Sequence, residues 1–161
     1  MAQAKQSKLM TSGNLAVNRK ATHDYTVLEK FEAGIELFGT EVKVLRNGEG
    51  GLLGSWCKID DKNELWLMQV RIPPYAFGTH FNHEALRSRR LLMHKAEIVR
   101  LRAKTEQKGL SLIPLRLYLN ARGKVKVEIA LCQGKNAIDR RETIKRREAD
   151  RSVQRAVRRF V

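Results

Sequence analysis

Between Tyr25 and Cys132 the apolar residues mostly alternate with polar ones, and that alternation predicts strands. Tyr25, Val27, Phe31, Ile35 and Leu37 hold a rough period of two, which predicts a long strand over 25–37. Glu29 and Lys30 interrupt it, and Ala33-Gly34 marks a bulge or a close approach. Leu52 to Asp60 reads as a second strand, with Leu53, Ser55, Cys57 and Ile59 on one parity and Trp56 on the other. Glu64 to Ile72 reads as a third, its apolar set being Trp66, Met68, Val70 and Ile72; Pro73-Pro74 ends it. Leu110–Leu119 and Gly123–Cys132 are the last two, joined by the hairpin connection Asn120-Ala121-Arg122-Gly123. On the final strand Val125, Val127, Ile129 and Leu131 face one way, and Lys124, Lys126 and Glu128 the other.

Helical spacing enters twice before the C-terminal tail. Gly39-Thr40 opens a short helix with Thr40 as N-cap, Glu41 in the first turn, Val42 and Leu45 inward, Lys43 and Arg46 outward, and Asn47-Gly48 as the stop. Leu91 to Lys108 is the second, with Leu91, Leu92, Ile98 and Leu101 as its apolar face and Gly109 as its stop. Residues 75–88 show no period and read as a loop. The order strand, helix, two strands, helix, two strands predicts a mainly-β domain: a small antiparallel barrel or curled sheet, with helices over its openings. The first strand is long enough to bend at Ala33-Gly34 and act as two.

Both ends differ from this middle. Residues 1–17 are polar, carry Lys5 and Lys8 and no acid, and read as a disordered basic arm. The ordered domain runs over 18–134, and 135–161 is a basic tail with ten Lys or Arg against four Asp or Glu. The tail has no Gly or Pro, so helix is its natural state. Ala149, Val153, Ala156, Val157 and Phe160 share one stripe; Arg147, Arg151, Arg155, Arg158 and Arg159 lie opposite. So thin a stripe needs a partner.

Charge sharpens the picture. The 161 residues carry a formal net charge of +15. Such an excess argues for a polyanionic partner, nucleic acid before anionic membrane. No apolar run is long enough to span a bilayer and the first residues lack a signal-peptide core, so a cytoplasmic location is expected. Cys57 and Cys132 have no metal-ligand spacing and read as buried thiols. His80-x-x-His83 lies in the loop with only Glu84 and His94 as further ligands, a poor metal set. No phosphate loop, nucleophile elbow or readable carboxylate pair is present, so neither an enzyme nor a cofactor is expected. The cations available to a polyanion are Arg19, Lys20, His23, Lys43, Arg46, Arg87, Arg89, Arg90, Lys95, Lys124 and Lys126. Trp56 and Trp66 read as core, and no aromatic signature for reading single strands is present, which favours recognition of RNA shape and backbone.

Several motifs carry a resemblance. They are Asn18-Arg19-Lys20-Ala21-x-His23-Asp24-Tyr25, Glu32-Ala33-Gly34-Ile35, and Gly39-Thr40-Glu41-Val42-Lys43-x-Leu45-Arg46-x-Gly48. Further on come Asn82-His83, Arg87-x-Arg89-Arg90-Leu91-Leu92-Met93-His94-Lys95-x-Glu97-Ile98, Gly109-Leu110-x-Leu112-Ile113-Pro114-Leu115 and Gly134-Lys135. In this order, from about residue 18 to 151, the chain resembles the SmpB family of SsrA-binding proteins. The resemblance implies an OB-like closed barrel of six antiparallel strands with two or three helices. It implies a monomeric, non-catalytic protein that binds the tRNA-like domain of tmRNA and delivers alanyl-tmRNA with EF-Tu to stalled ribosomes. It implies tmRNA contacts at Asn18, Glu32, Leu92 and Lys126, with His23, Lys43 and Arg46 nearby. The tail is implied to fold as a helix in the empty mRNA channel, against the decoding centre and 16S rRNA. Gly134, Lys135, Asp139, Arg140, Arg141, Ile144, Lys145, Arg147 and Arg151 would serve there.

A carboxylate at an RNA face can accept from base amino groups or 2′-hydroxyls, which makes Glu32 intelligible. The chain departs from the family pattern at Gly54-Ser55-Trp56, where Asp-Ser-Tyr is usual, at Val44, where Ser is usual, and at Asn136 and Arg140, where Lys is usual. Two other readings compete: a generic basic barrel gripping rRNA, and a membrane-surface protein whose tail helix lies on anionic lipid.

Overall fold

The computed structural model describes residues 13–107 and 109–159, the backbone alone at 137–140, 143 and 156–159. Seven antiparallel strands form one sheet in the order β1-β6-β3-β4-β5-β2-β7, and β6 also pairs with β7. The strands are β1 (Gly13–Val17), β2 (Tyr25–Ile35), β3 (Trp56–Ile59), β4 (Leu65–Met68), β5 (Arg89–Leu92), β6 (Leu110–Leu119) and β7 (Val125–Gly134). The helices are α1 (Arg19–Asp24), α2 (Gly39–Arg46), α3 (Lys95–Thr105) and α4 (Ala137–Arg159). The β6–β7 pairing returns the sheet on itself, so six strands form a ring and β1 lies outside it along β6.

The ring is filled with aliphatic side chains. Leu45 from α2, Leu101 from α3, and Leu52, Leu65, Leu67, Leu91, Leu117, Val127 and Ile129 are all buried in one cluster. Each such side chain contributes about 1.5–3 kcal/mol. A smaller cluster of Ala21, Ile113, Leu115, Ala130 and Cys132 lies under α1.

β1 falls within the stretch expected to be a disordered arm; residues 1–12 of that arm lie outside the described residues. Five residues are too short to show a period, and what orders them is the ladder to β6, with Leu15 and Ala16 buried. β6 has three neighbours. β7 runs along one edge, while the other passes from β3 at Leu112 to β1 at Arg116–Leu119. Pro114, which has no N–H to give, sits at this handover. Asn18 fills the gap: its backbone N–H donates to Leu115 O at 2.8 Å and its Nδ2 to Pro114 O at 3.1 Å. Its Oδ1 caps α1 by accepting from Ala21 N at 3.1 Å.

In β2 the bulge lies between Val27 and Glu29 instead of at Ala33-Gly34. Gly34 is a close approach: a Cβ there would stand 3.2 Å from Leu92 Cβ. The N-cap of α2 is Phe38, whose N–H donates to Glu41 Oε2 at 2.8 Å; Thr40 instead bonds His83 Nδ1 at 2.9 Å.

The third strand keeps the expected parity at Val70 and Ile72 and carries the opposite one over Leu65–Met68. Leu65 and Leu67 are buried, and so are Val70 and Ile72. Gln69 takes φ +57°, which ends β4 and flips the alternation between the two pairs. The helix expected over 91–108 is shorter, because Arg89–Leu92 is strand β5. Leu91 is buried and Leu92 is half exposed, as adjacent residues of a strand must be. Trp56, expected in the core, is 42% exposed. Both cysteines are buried and free.

Candidate nucleic-acid interface

Strand register assembles a partly polar face of the sheet. Gly34 of β2 stands between Leu92 of β5 and Lys126 of β7, and Lys126 faces Tyr118 of β6. Paired residues project to the same side, so Leu92, Lys126 and Tyr118 form a row across four strands with a gap at the glycine. Glu32, two residues before Gly34, shares that side. Lys126 Nζ lies 3.4 Å from Glu32 Oε1, and Tyr118 Oη donates to Glu32 Oε2. The Tyr118 hydrogen bond and the Lys126 ammonium hold the Glu32 carboxyl below its ordinary pKa of 4.5. Partial desolvation, with Glu32 beside it, pushes the Tyr118 phenol up to about 12, so it stays a donor at neutral pH. The Arg116 guanidinium covers the Tyr118 ring at 4.7 Å and bonds Glu128 at 2.9 Å.

Beside this row lies a groove of about 480 Å³ lined by Ile35, Leu37, Val42, Leu92, Lys124 and Lys126, among others. Its floor is apolar and its rim cationic. α2 forms one wall, fastened to the β6–β7 hairpin by Arg46 Nη2 donating to Gly123 O at 3.2 Å. Arg46 Nε is buried with no partner. Lys43 is exposed on the same helix.

Register thus unites Glu32, Leu92 and Lys126 with Lys124, and α2 adds Lys43 and Arg46. Two expected contacts are withdrawn from the surface. Asn18 is 7% exposed and its side chain is spent on the cap of α1 and on Pro114. Arg89 is fully buried: it pairs with Glu41 at 2.8 Å and donates to the carbonyls of Val70, Arg87 and Ala85. A sequence cannot reveal that a basic residue has found a buried acid. Arg90 pairs with Glu64 at 2.7 Å, on strand β5 beside β4, and Lys95 is exposed at the start of α3; neither lines the groove.

A second basic cluster gathers on α1. Arg19 and Lys20 are exposed, and His23 Nδ1 lies 2.7 Å from Asp24 Oδ1. The tail begins against this helix. Lys135 Nζ donates to Thr22 O at 3.1 Å, and Arg147 reaches Thr22 Oγ1 at 3.5 Å. Gly134 closes β7, and α4 runs on to Arg159 with Arg141, Ile144, Lys145 and Arg151 exposed. The side chains of Asp139, Arg140, Ala156, Val157, Arg158 and Arg159, and all of Phe160, lie outside the described residues.

In the loop, His83 is buried, and its Nε2 lies 3.0 and 2.9 Å from the carbonyls of Ile72 and Pro73. Two acceptors there require a proton on Nε2. Among the described residues no three His, Cys, Asp or Glu gather as a metal site, and no helix is long and apolar enough to cross a membrane.

Sequence reasoning missed Tyr118. Counting back from the hairpin would have set Tyr118 opposite Lys126.

A cation-rimmed groove beside a buttressed carboxylate, on a strongly basic β-sheet, belongs to the class of nucleic-acid-binding surfaces. Comparison narrows the class. The family model described as SmpB protein matches residues 15–159. An SsrA-binding protein of Levilactobacillus brevis is 51% identical over 156 residues, covering 97% of this chain and 98% of that one. Another, of Desulforamulus reducens, is 52% identical over 141 residues, 88% of this chain and 87% of its own. A solved chain from work on tmRNA-SmpB at the centre of the bacterial ribosome superposes with a TM-score of 0.65 at 47% identity, over 79% of this chain and 86% of that one. This chain belongs to the SmpB family.

Proposed function

We propose that this protein is a non-catalytic, cytoplasmic RNA adaptor of trans-translation. The body, residues 18–134, binds the tRNA-like domain of tmRNA through the groove beside Leu92, Gly34 and Lys126. The ring of six strands is read as the OB-like barrel of the family. The tail, 135–161, is the second contact: its arginine face enters the empty mRNA channel and meets 16S rRNA at the decoding centre. EF-Tu joins through alanyl-tmRNA, and the free protein is a monomer. Lys135, Asp139, Arg140, Arg141, Ile144, Lys145, Arg147 and Arg151 are the tail residues assigned to the ribosome, with Gly134 as the pivot. Arg19, Lys20 and His23 on α1 would face RNA beside the root of the tail.

One observation carries the reading. Glu32, Leu92 and Lys126, far apart in sequence, are brought to one face by register, and Glu32 is held ionised by Tyr118 and Lys126. An ionised carboxylate repels phosphate, so a surface built only to grip a polyanion would not retain it. It suits hydrogen bonding to base amino groups or 2′-hydroxyls of one particular RNA. The test is to sequence the RNA that copurifies with the protein after a high-salt wash. One dominant tmRNA is the expected result; a spread of rRNA fragments would replace this reading with that of a generic rRNA-binding protein.

A further inference from the structure

Residues 73–88 carry a feature that the groove does not use. Phe77 is 85% exposed and Phe81 is 93% exposed, on either side of the loop tip. Their presentation is built. Asn82 clamps the loop, with Oδ1 accepting from Tyr75 N at 3.0 Å and Nδ2 donating to Tyr75 O at 2.8 Å. Gly78 N–H also donates to Tyr75 O at 2.8 Å, and a Cβ on Gly78 would stand 2.6 Å from Asn82 Nδ2, so the turn takes glycine. Phe77 meets Tyr75 edge-on at 5.7 Å. The loop is seated on α2 through the Thr40–His83 bond and through Arg87, which bonds Glu41 at 2.9 Å and lies 4.3 Å over the Phe38 ring.

Two rings held in water by a clamped loop are costly unless something covers them. The surroundings point to RNA. Lys43 Nζ stands 5.2 Å over the Tyr75 ring, while Val42, its neighbour on α2, lines the groove. The Tyr75 ring thus stands between the Lys43 ammonium of α2 and the exposed Phe77 ring. Aromatic faces next to cations are how proteins hold unpaired bases without reading their identity. We infer that Phe77 and Phe81 form a stacking platform for unpaired nucleotides of the RNA held in the neighbouring groove. This inference rests on the reading of that groove as the tmRNA site.

The test titrates the full chain with transcribed tRNA-like domain of tmRNA, comparing wild type with Phe77→Ala, Phe81→Ala, Phe77→Leu and Phe77→Trp. Melting curves should be unchanged, since both rings are exposed. Each alanine variant should weaken binding about tenfold, Phe77→Leu nearly as much, and Phe77→Trp little. The dependence of affinity on salt should stay as in wild type, because no phosphate contact is removed. Full affinity in both alanine variants, with wild type binding normally, overturns this inference alone. Full affinity in Phe77→Leu with loss in Phe77→Ala would mean that an apolar side chain suffices without a ring to stack on, and also overturns it. No binding by wild type overturns the groove reading and this one together.

Discussion

Arg89 and Glu41 form an ion pair in which both side chains are fully buried, Nη2 to Oε1 at 2.8 Å. Arg87 closes the other carboxylate oxygen at 2.5 Å. Burial alone would raise the Glu41 pKa, but hydrogen bonds from Arg87 and Phe38 N–H and the two guanidinium charges bring it below its ordinary 4.5. Breaking a buried pair leaves a lone charge in the core. Glu41→Gln should therefore cost about 3–5 kcal/mol, read as a lower urea midpoint. The lowered carboxyl pKa fixes the sign with pH. The stabilisation is complete above the unfolded pKa near 4.5 and is lost as pH falls through the folded value. Wild type should weaken in acid relative to Glu41→Gln, so the gap between their midpoints narrows.

Glu32 offers a test by charge sign. Glu32→Ala removes a negative charge from a basic protein, yet tmRNA binding should weaken, by roughly tenfold for a charge-assisted hydrogen bond. Tighter binding in a filter assay would refute the specific contact. Tyr118→Phe should produce a smaller loss in the same direction.

Gly34→Ala separates packing from binding. The new Cβ presses on Leu92 Cβ at 3.2 Å, so β5 must yield by a few tenths of an ångström. Stability should fall by only about 1 kcal/mol. RNA affinity should fall further than stability, because Leu92 moves into the groove.

Deleting 135–161 should leave the affinity for tmRNA nearly intact and abolish tagging of peptides on stalled ribosomes. A loss of RNA affinity as large as the loss of tagging would favour a generic grip on rRNA.

Thiol reagents should not label the native protein at neutral pH. Burial pushes the Cys57 thiol far up and Cys132 up to about 11, so neither offers a thiolate. Rapid labelling in the absence of denaturant would show that the ring opens.

What the sequence made legible were the segments whose pattern is settled locally. β6 and β7 are rich in apolar residues and share a short hairpin, and both were readable to within a few residues. β5 was not, because its first residue is an arginine that becomes core only by meeting Glu41 from α2. The parity of β4 was lost to one backbone angle at Gln69, a residue with no marked left-handed preference. At the site, Glu32, Leu92 and Lys126 were named from the family resemblance. Their meeting around Gly34 depends on pairings across β5, β2 and β7 that no local pattern encodes. Asn18 was named only as a contact; that its side chain is spent on the cap of α1 and on Pro114 O emerges from the fold.

The handover on β6 also bears on how the molecule breathes. Elsewhere in the ring, parting two strands means unzipping a ladder. Pro114 has no amide to give, and on the edge that passes from β3 to β1 the backbone N–H and the side chain of Asn18 span the interval. Amide hydrogens flanking that point, at Leu115 and Arg116, should exchange with solvent ahead of those of Leu117 and Leu119. The Asn18 side chain is then a latch between α1 and the edge of β6 that β3 has left and β1 has yet to join: its loss would loosen that edge without removing any contact at the groove.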